Sequence, residues 1–213
     1  MAQKAILFDL DGTLTDSGEG IINCASLALR HFGLSVPSRE EMRVFVGPPL
    51  DHSFRCFGVP ADKTDEAIAV YRSRYTTVGK FENFPYPGIR QLLEKLKNDG
   101  HRLFVATSKP EGLSVEILTK FELAEFFELI CGATLDSSRS KKADVIAYLL
   151  EKIGGADNAV MVGDTAFDVI GAKAHGIDTI GVAWGYGAVA DMVDAGAAAI
   201  ADSPEALYDM LSK

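Results

Sequence analysis

Two aspartates two positions apart, Asp9 and Asp11, follow the short apolar run Ala5–Phe8, and Gly12 after them permits a sharp exit. Side chains on a strand alternate, so residues two apart can leave its end on the same side. A pair of carboxylates there repels unless a cation or a shared proton intervenes. Asp and Gly are also ordinary turn residues, so the pair needs company elsewhere in the chain. Thr107 and Ser108 close the apolar run 103–106. Lys142 opens an amphipathic stretch. GDTAFD, 163–168, puts Asp164 after the apolar run 159–162 and Asp168 one helical turn further on. Singly, these are a helix cap, a surface lysine and a turn. Jointly, at successive strand ends, they read as one site.

Acids, hydroxyls and an ammonium in that arrangement suit phosphoryl chemistry. Phosphate-monoester hydrolysis is among the slowest uncatalysed reactions, so a site must supply a nucleophile and strong charge stabilisation. A carboxylate nucleophile divides the reaction into two displacements. A second carboxylate can protonate the leaving alkoxide and then activate water. Magnesium, which prefers oxygen ligands, neutralises clustered acids. A hydroxyl, backbone N–H groups and an ammonium can hold the remaining phosphate oxygens.

The elements that must position these groups alternate. The run Ala5–Phe8 suits a strand buried on both faces of a parallel sheet. Helical spacing follows over 20–32, over a short segment capped by Ser38 and Glu41, over 50–57 and over 61–78, with Gly47, Pro48 and Pro49 as an interruption. From residue 83 strands near 103–107, 129–131, 159–162, 177–182 and 198–200 alternate with helices over 89–98, 112–121, 142–153 and after 164, with a terminal helix last. Strand–helix alternation predicts a doubly wound, Rossmann-like parallel α/β sheet, 1–15 with 83–213, interrupted after its first strand by an all-helical cap domain, 16–82.

Composition bounds the function. The 213 residues are 47% hydrophobic and 24% charged, with a formal net charge of -9, which argues against a nucleic-acid polymer as partner. Three widely spaced cysteines, Cys24, Cys56 and Cys131, fit neither a disulfide framework nor a zinc site and read as free thiols. No signal-peptide pattern and no membrane-length apolar stretch is present, so the expected location is cytoplasmic, as a monomer or homodimer.

FDLDGTLTDS resembles the first motif of the haloacid dehalogenase superfamily, Ala106-Thr107-Ser108 its second and GDTAFD its fourth. FVGPPL, ENFPYPGI, WGYG and the position of the helical insert resemble the phosphoglycolate phosphatase-like subgroup. The resemblance implies a magnesium-dependent phosphatase of small phosphorylated metabolites, with Asp9 as nucleophile and Asp11 as general acid and base. It implies that Asp9, the backbone carbonyl of Asp11 and Asp164 ligate magnesium, with Asp168 supporting through water, and that Thr107, Ser108 and a lysine bind phosphate. The third motif departs from the usual lysine–proline: Lys141-Lys142-Ala143-Asp144 stands there, and KADVI favours Lys142 over Lys141. Arg43 and Lys80 are candidate cap cations for a second anionic group on the substrate. A 5′-nucleotidase is the main alternative, and a phosphoryl-accepting regulatory domain is the alternative from another class.

Overall fold

The computed structural model describes residues 3–136, 138–155 and 157–212. Its contacts divide into two units: one runs to Thr15 and resumes at Pro85, and the other is Asp16–Phe84. The first unit begins with β1 (Ala5–Phe8), and the chain leaves it through β2 (Thr15–Asp16). The second unit holds α1 (Gly18–His31), α2 (Leu50–Cys56) and α3 (Thr64–Tyr75), with short 3-10 turns at Glu41–Phe45, Ala61–Lys63 and Gly79–Phe81. The chain returns through β3 (Phe84–Pro85). There follow α4 (Ile89–Asn98), β4 (Arg102–Pro110), α5 (Glu111–Lys120), β5 (Leu129–Ala133), α6 (Lys142–Ile153) and β6 (Ala159–Gly163). The last elements are α7 (Ala166–Lys173), β7 (Asp178–Val182), α8 (Val189–Ala195), β8 (Ala199–Ala201) and α9 (Pro204–Leu211).

Six strands pair in the order β5-β4-β1-β6-β7-β8, every pair parallel. β1 is central because its four residues, all buried, are apolar on both faces. Ile6 and Phe8 pack with Leu92, Leu93 and Leu96 of α4 and Leu207 and Leu211 of α9. Ala5 and Leu7 pack on the opposite face with Val145, Ile146 and Leu149 of α6 and Ala172 of α7. Sequence order leaves β1 in both directions, so its carboxyl end borders the crevice where such sheets bind ligands. This is the doubly wound α/β architecture expected from strand–helix alternation.

The helical unit has an aromatic interior. Phe45 meets Phe54 at 5.1 Å, Phe54 meets Tyr71 at 6.4 Å, and Tyr71 stacks on Tyr75 at 5.1 Å between ring centroids.

Several boundaries differ from the sequence expectation for local reasons. The helix expected over 61–78 is a 3-10 turn followed by α3, which ends at Tyr75. Beyond it the Thr76 and Thr77 hydroxyls donate to the carbonyls of Arg72 (2.8 Å) and Arg74 (3.1 Å), the back-bonding that competes with helix continuation. The capping box forms, with Ser38 N–H donating to Glu41 Oε2 at 3.0 Å and Glu41 N–H donating to Ser38 Oγ at 3.3 Å, but a 3-10 turn follows it. Gly47-Pro48-Pro49 leaves no room there for more. β4 runs three residues past the expected end at 107, so Thr107 and Ser108 lie inside the strand. The sheet unit resumes at Pro85 rather than 83. α8 had no sequence signal, since Met192 is its one buried residue.

Leu93 is fully buried in the cluster under β1 and β4. Leu93→Ala is expected to lower unfolding free energy by ~2–5 kcal/mol in urea titrations. A loss below ~1 kcal/mol would show that this cluster collapses around the gap.

Candidate active site

Ala5 and Leu7 face α6 and α7, and Asp9 continues their parity past the end of β1. Its backbone N–H still donates to the Val162 carbonyl at 2.9 Å, so the ladder with β6 holds the residue in place. Lys142, the first residue of α6, is buried beneath it. Lys142 Nζ lies 2.8 Å from Asp9 Oδ1 and 2.7 Å from Asp168 Oδ1, and donates to the Ala106 carbonyl at 2.9 Å. Two ion pairs and one hydrogen bond thus tie the ammonium to the end of β1, to α7 and to β4. The other oxygen of Asp168 accepts from Thr165 N–H (3.0 Å) and Thr165 Oγ (2.8 Å), closing a capping box at the start of α7.

Asp164 follows β6 and is fully buried. Its Oδ1 accepts from the Thr13 hydroxyl at 3.2 Å, and its Oδ2 accepts from the N–H groups of Tyr186 (2.8 Å) and Gly187 (3.4 Å). Trp184 Nε1 donates to the Thr13 carbonyl at 3.1 Å, tying the same two loops together. Gly12 adopts φ +87°, and a Cβ there would collide with the Asp164 carboxylate. Only glycine serves at that turn.

Asp11 lies beyond the strand, where Lys109 Nζ donates to its two oxygens at 2.9 and 2.7 Å. Thr107 is buried on β4, and its Oγ accepts from the Lys109 N–H at 3.2 Å. Ser108 beside it is partly exposed.

Among the described residues Asp9, Asp164 and Asp168 offer carboxylate oxygens all within 4.8 Å of one another. Burial pushes the Asp9 carboxyl up to about 6; Lys142 opposes that shift and the charge on Asp168 adds to it. Burial, then the charges of Asp168 and Asp9, pushes Asp164 up to about 7. Burial works against the Lys142 ammonium, but Asp168 and Asp9 outweigh it and hold the group above its ordinary value. Three acids around one ammonium leave net negative charge out of water. That surplus, on hard oxygen donors, fits a divalent cation such as magnesium.

A family model described as "Haloacid dehalogenase-like hydrolase" matches residues 6–182. The chain belongs to this family. Within it, the chain is 44% identical over 192 residues to the tyrosine-protein kinase PtkA of Mycobacterium tuberculosis, covering 90% of this chain and 65% of that one. The chain thus spans just under two thirds of the length of that relative. It is 41% identical to a 5′-nucleotidase of Pseudomonas aeruginosa (85% of this chain, 83% of that one) and 31% identical to a phosphoglycolate phosphatase of Caulobacter vibrioides (85% and 79%). A crystal structure of a predicted phosphatase from Clostridium acetobutylicum superposes with TM-score 0.95 at 41% identity, covering 100% of this chain and 99% of that one. The resemblance to haloacid dehalogenase-type phosphatases is therefore shown, phosphoglycolate phosphatases among them.

Of the residues singled out in the sequence, the fold brings Asp9, Lys142, Asp164 and Asp168 into one buried cluster. Lys142 is buried and Lys141 exposed, which separates two neighbours that sequence left close. Arg43 lies in the 3-10 turn Glu41–Phe45, where its Nε is 3.8 Å from Glu40. Lys80 is largely buried in the turn Gly79–Phe81, 5.0 Å above the Phe81 ring. Sequence reasoning missed Lys109, Thr13 and the N–H groups of Tyr186 and Gly187. A lysine directly after the hydroxyl pair was the one available signal for the first.

The raised carboxyls give a sign to test. An aspartate lifted from 3.8 to about 6 or 7 by folding adds stability below the unfolded value and loses it as pH rises through the folded value. A cation that binds the ionised acids reverses this. The rise in Tm on adding magnesium is expected to be larger at pH 8 than at pH 5.5, and to be largely abolished by Asp164→Asn. Equal rises at both pH values would exclude these carboxylates as the ligands.

Proposed function

We propose that the chain is a magnesium-dependent phosphatase of small phosphomonoesters that works through an aspartyl-phosphate on Asp9. One observation carries this reading: Asp9, Asp164 and Asp168 converge within 4.8 Å beside the Lys142 ammonium, at the carboxyl end of the central strand. In the first step an Asp9 oxygen attacks phosphorus and the ester P–O bond breaks, while Asp11 gives its proton to the departing alkoxide. In the second, Asp11 takes a proton from water, the water oxygen attacks phosphorus, and the acyl-phosphate bond breaks to release phosphate and Asp9. Lys142 keeps Asp9 ionised and faces the charge that builds on the phosphoryl oxygens. The hydroxyls of Thr107 and Ser108 hold those oxygens in line. Asp9, Asp164 and the Asp11 carbonyl would hold magnesium, with Asp168 supporting through water; bound there, it would neutralise the acids and the phosphoryl group.

The helical unit would act as the cap that selects the leaving group, with Arg43 and Lys80 as its cations for a second anionic group. The relatives' names support nucleoside monophosphates and phosphoglycolate as substrates, and the higher identity puts the nucleotides first. The 44% likeness to PtkA supports a second reading, in which a tyrosine hydroxyl rather than water receives the phosphoryl group from Asp9.

Phosphate release from nucleoside monophosphates, phosphoglycolate and sugar phosphates, with and without magnesium, tests the proposal. Turnover is expected to require magnesium, and Asp9→Asn is expected to reduce it by at least ~1000-fold while leaving the fold intact. Wild-type-like release by that variant would remove the nucleophile. Transfer from ATP to a tyrosine peptide without phosphate release would favour the second reading. A stable phosphoryl group on Asp9 without turnover would favour a regulatory domain.

A further inference from the structure

Lys109 is buried, and a buried ammonium needs a partner. Its side chain is 5% exposed, that of Asp11 is 13%, and Nζ reaches both Asp11 oxygens, at 2.9 and 2.7 Å. Asp11 lies in the turn beyond β1, where its backbone forms an isolated bridge with Thr15.

The chain is shaped to aim Lys109 there. The register between β4 and β5 shifts between Ala106 and Pro110, an irregularity of the kind that re-aims side chains beside active sites. The Lys109 N–H donates to Thr107 Oγ within this kink. Across it stands Gly132 of β5, where a Cβ would press on the Lys109 carbonyl and the Glu111 backbone. The bare α-carbon admits the kinked strand. Glu111 then accepts from the Gly132 N–H (3.2 Å) and from Arg139 (2.9 Å), whose Nε donates to the Gly132 carbonyl at 2.8 Å. Gly132 on the neighbouring strand, Glu111 at the start of α5 and Arg139 beyond β5 thus brace the kink.

We infer that Lys109 is a positioning residue that sets the orientation of the Asp11 carboxylate toward the leaving-group oxygen. The inference rests on the acid–base role proposed above for Asp11. A general acid must stand within hydrogen-bond reach of the atom it protonates, and a displacement of about 1 Å can cost ~100-fold. A carboxylate held at both oxygens by one buried ammonium has its torsions fixed before it takes up the proton that it passes to the alkoxide.

The test compares leaving groups. kcat/KM for phosphoryl transfer from an alkyl phosphate hydrolysed by the wild type depends on protonation of an alkoxide. The same constant for p-nitrophenyl phosphate does not, because nitrophenolate leaves without a proton. Lys109→Met is expected to lower kcat/KM ~10- to 100-fold on the alkyl ester and less than ~3-fold on the aryl ester. Added to Asp11→Asn it should cause no further loss on the alkyl ester. Equal losses on both esters, or losses that multiply with those of Asp11→Asn, would overturn the inference and leave Lys109 a structural residue. Lys109→Gln carries the same comparison if the methionine variant fails to fold. Failure of the underlying reading looks different: a wild type that hydrolyses neither ester removes the phosphatase, and an Asp11→Asn variant blind to the leaving group removes the acid. Either result overturns the inference as well.

Discussion

The buried ammonium of Lys142 stands between two carboxylates that would otherwise repel each other. Lys142 meets Asp9 from β1, Asp168 from α7 and the carbonyl of Ala106 from β4, so the charge balance of the site is also a joint between elements. Removing one partner from such a buried ion pair typically costs ~3–5 kcal/mol, because the remaining charge is left out of water. The rest of the site follows from that constraint. Asp164, the third acid, lies within 4.8 Å of the other two and accepts from a hydroxyl and two backbone N–H groups from loops. Gly12 has no side chain because the carboxylate of Asp164 occupies that volume.

Two cationic pairs divide the labour at the strand end. Lys142 faces the acids that crowd together, and Lys109 takes Asp11 aside. Asp9 and Asp11, two positions apart, therefore meet different partners from different elements. Two carboxylates in different settings are what the proposed nucleophile and the proposed acid–base group would require of one short stretch of chain.

Much of this was legible in the sequence. Apolar runs of four or five residues ending in Asp9, Thr107 and Asp164 marked strands and the residues at their ends, because burial on both faces leaves a continuous hydrophobic signature. Lys142 was legible from its place at a helix start, although spacing alone could not rank it above Lys141. Lys109 escaped because its aim depends on a kink in β4 and on Gly132 across the sheet, neither of which alters hydrophobic periodicity. The loop donors at Tyr186 and Gly187 are backbone groups, and every residue but proline carries one. α8 escaped because one buried methionine makes no pattern.

The central place of β1 also bears on how the site comes to exist. Ala5 pairs with Arg102 on one side and with Ala159 on the other, while the whole helical unit lies between β1 and its first partner. Pairings so distant along the chain slow folding, since loop closure precedes any reward from contact. During synthesis the strand that carries Asp9 waits for both neighbours, and Lys142 and Asp168 arrive with the later of them. The Asp9 carboxylate is thus made early and meets its buried partners late, after most of the polypeptide has left the ribosome.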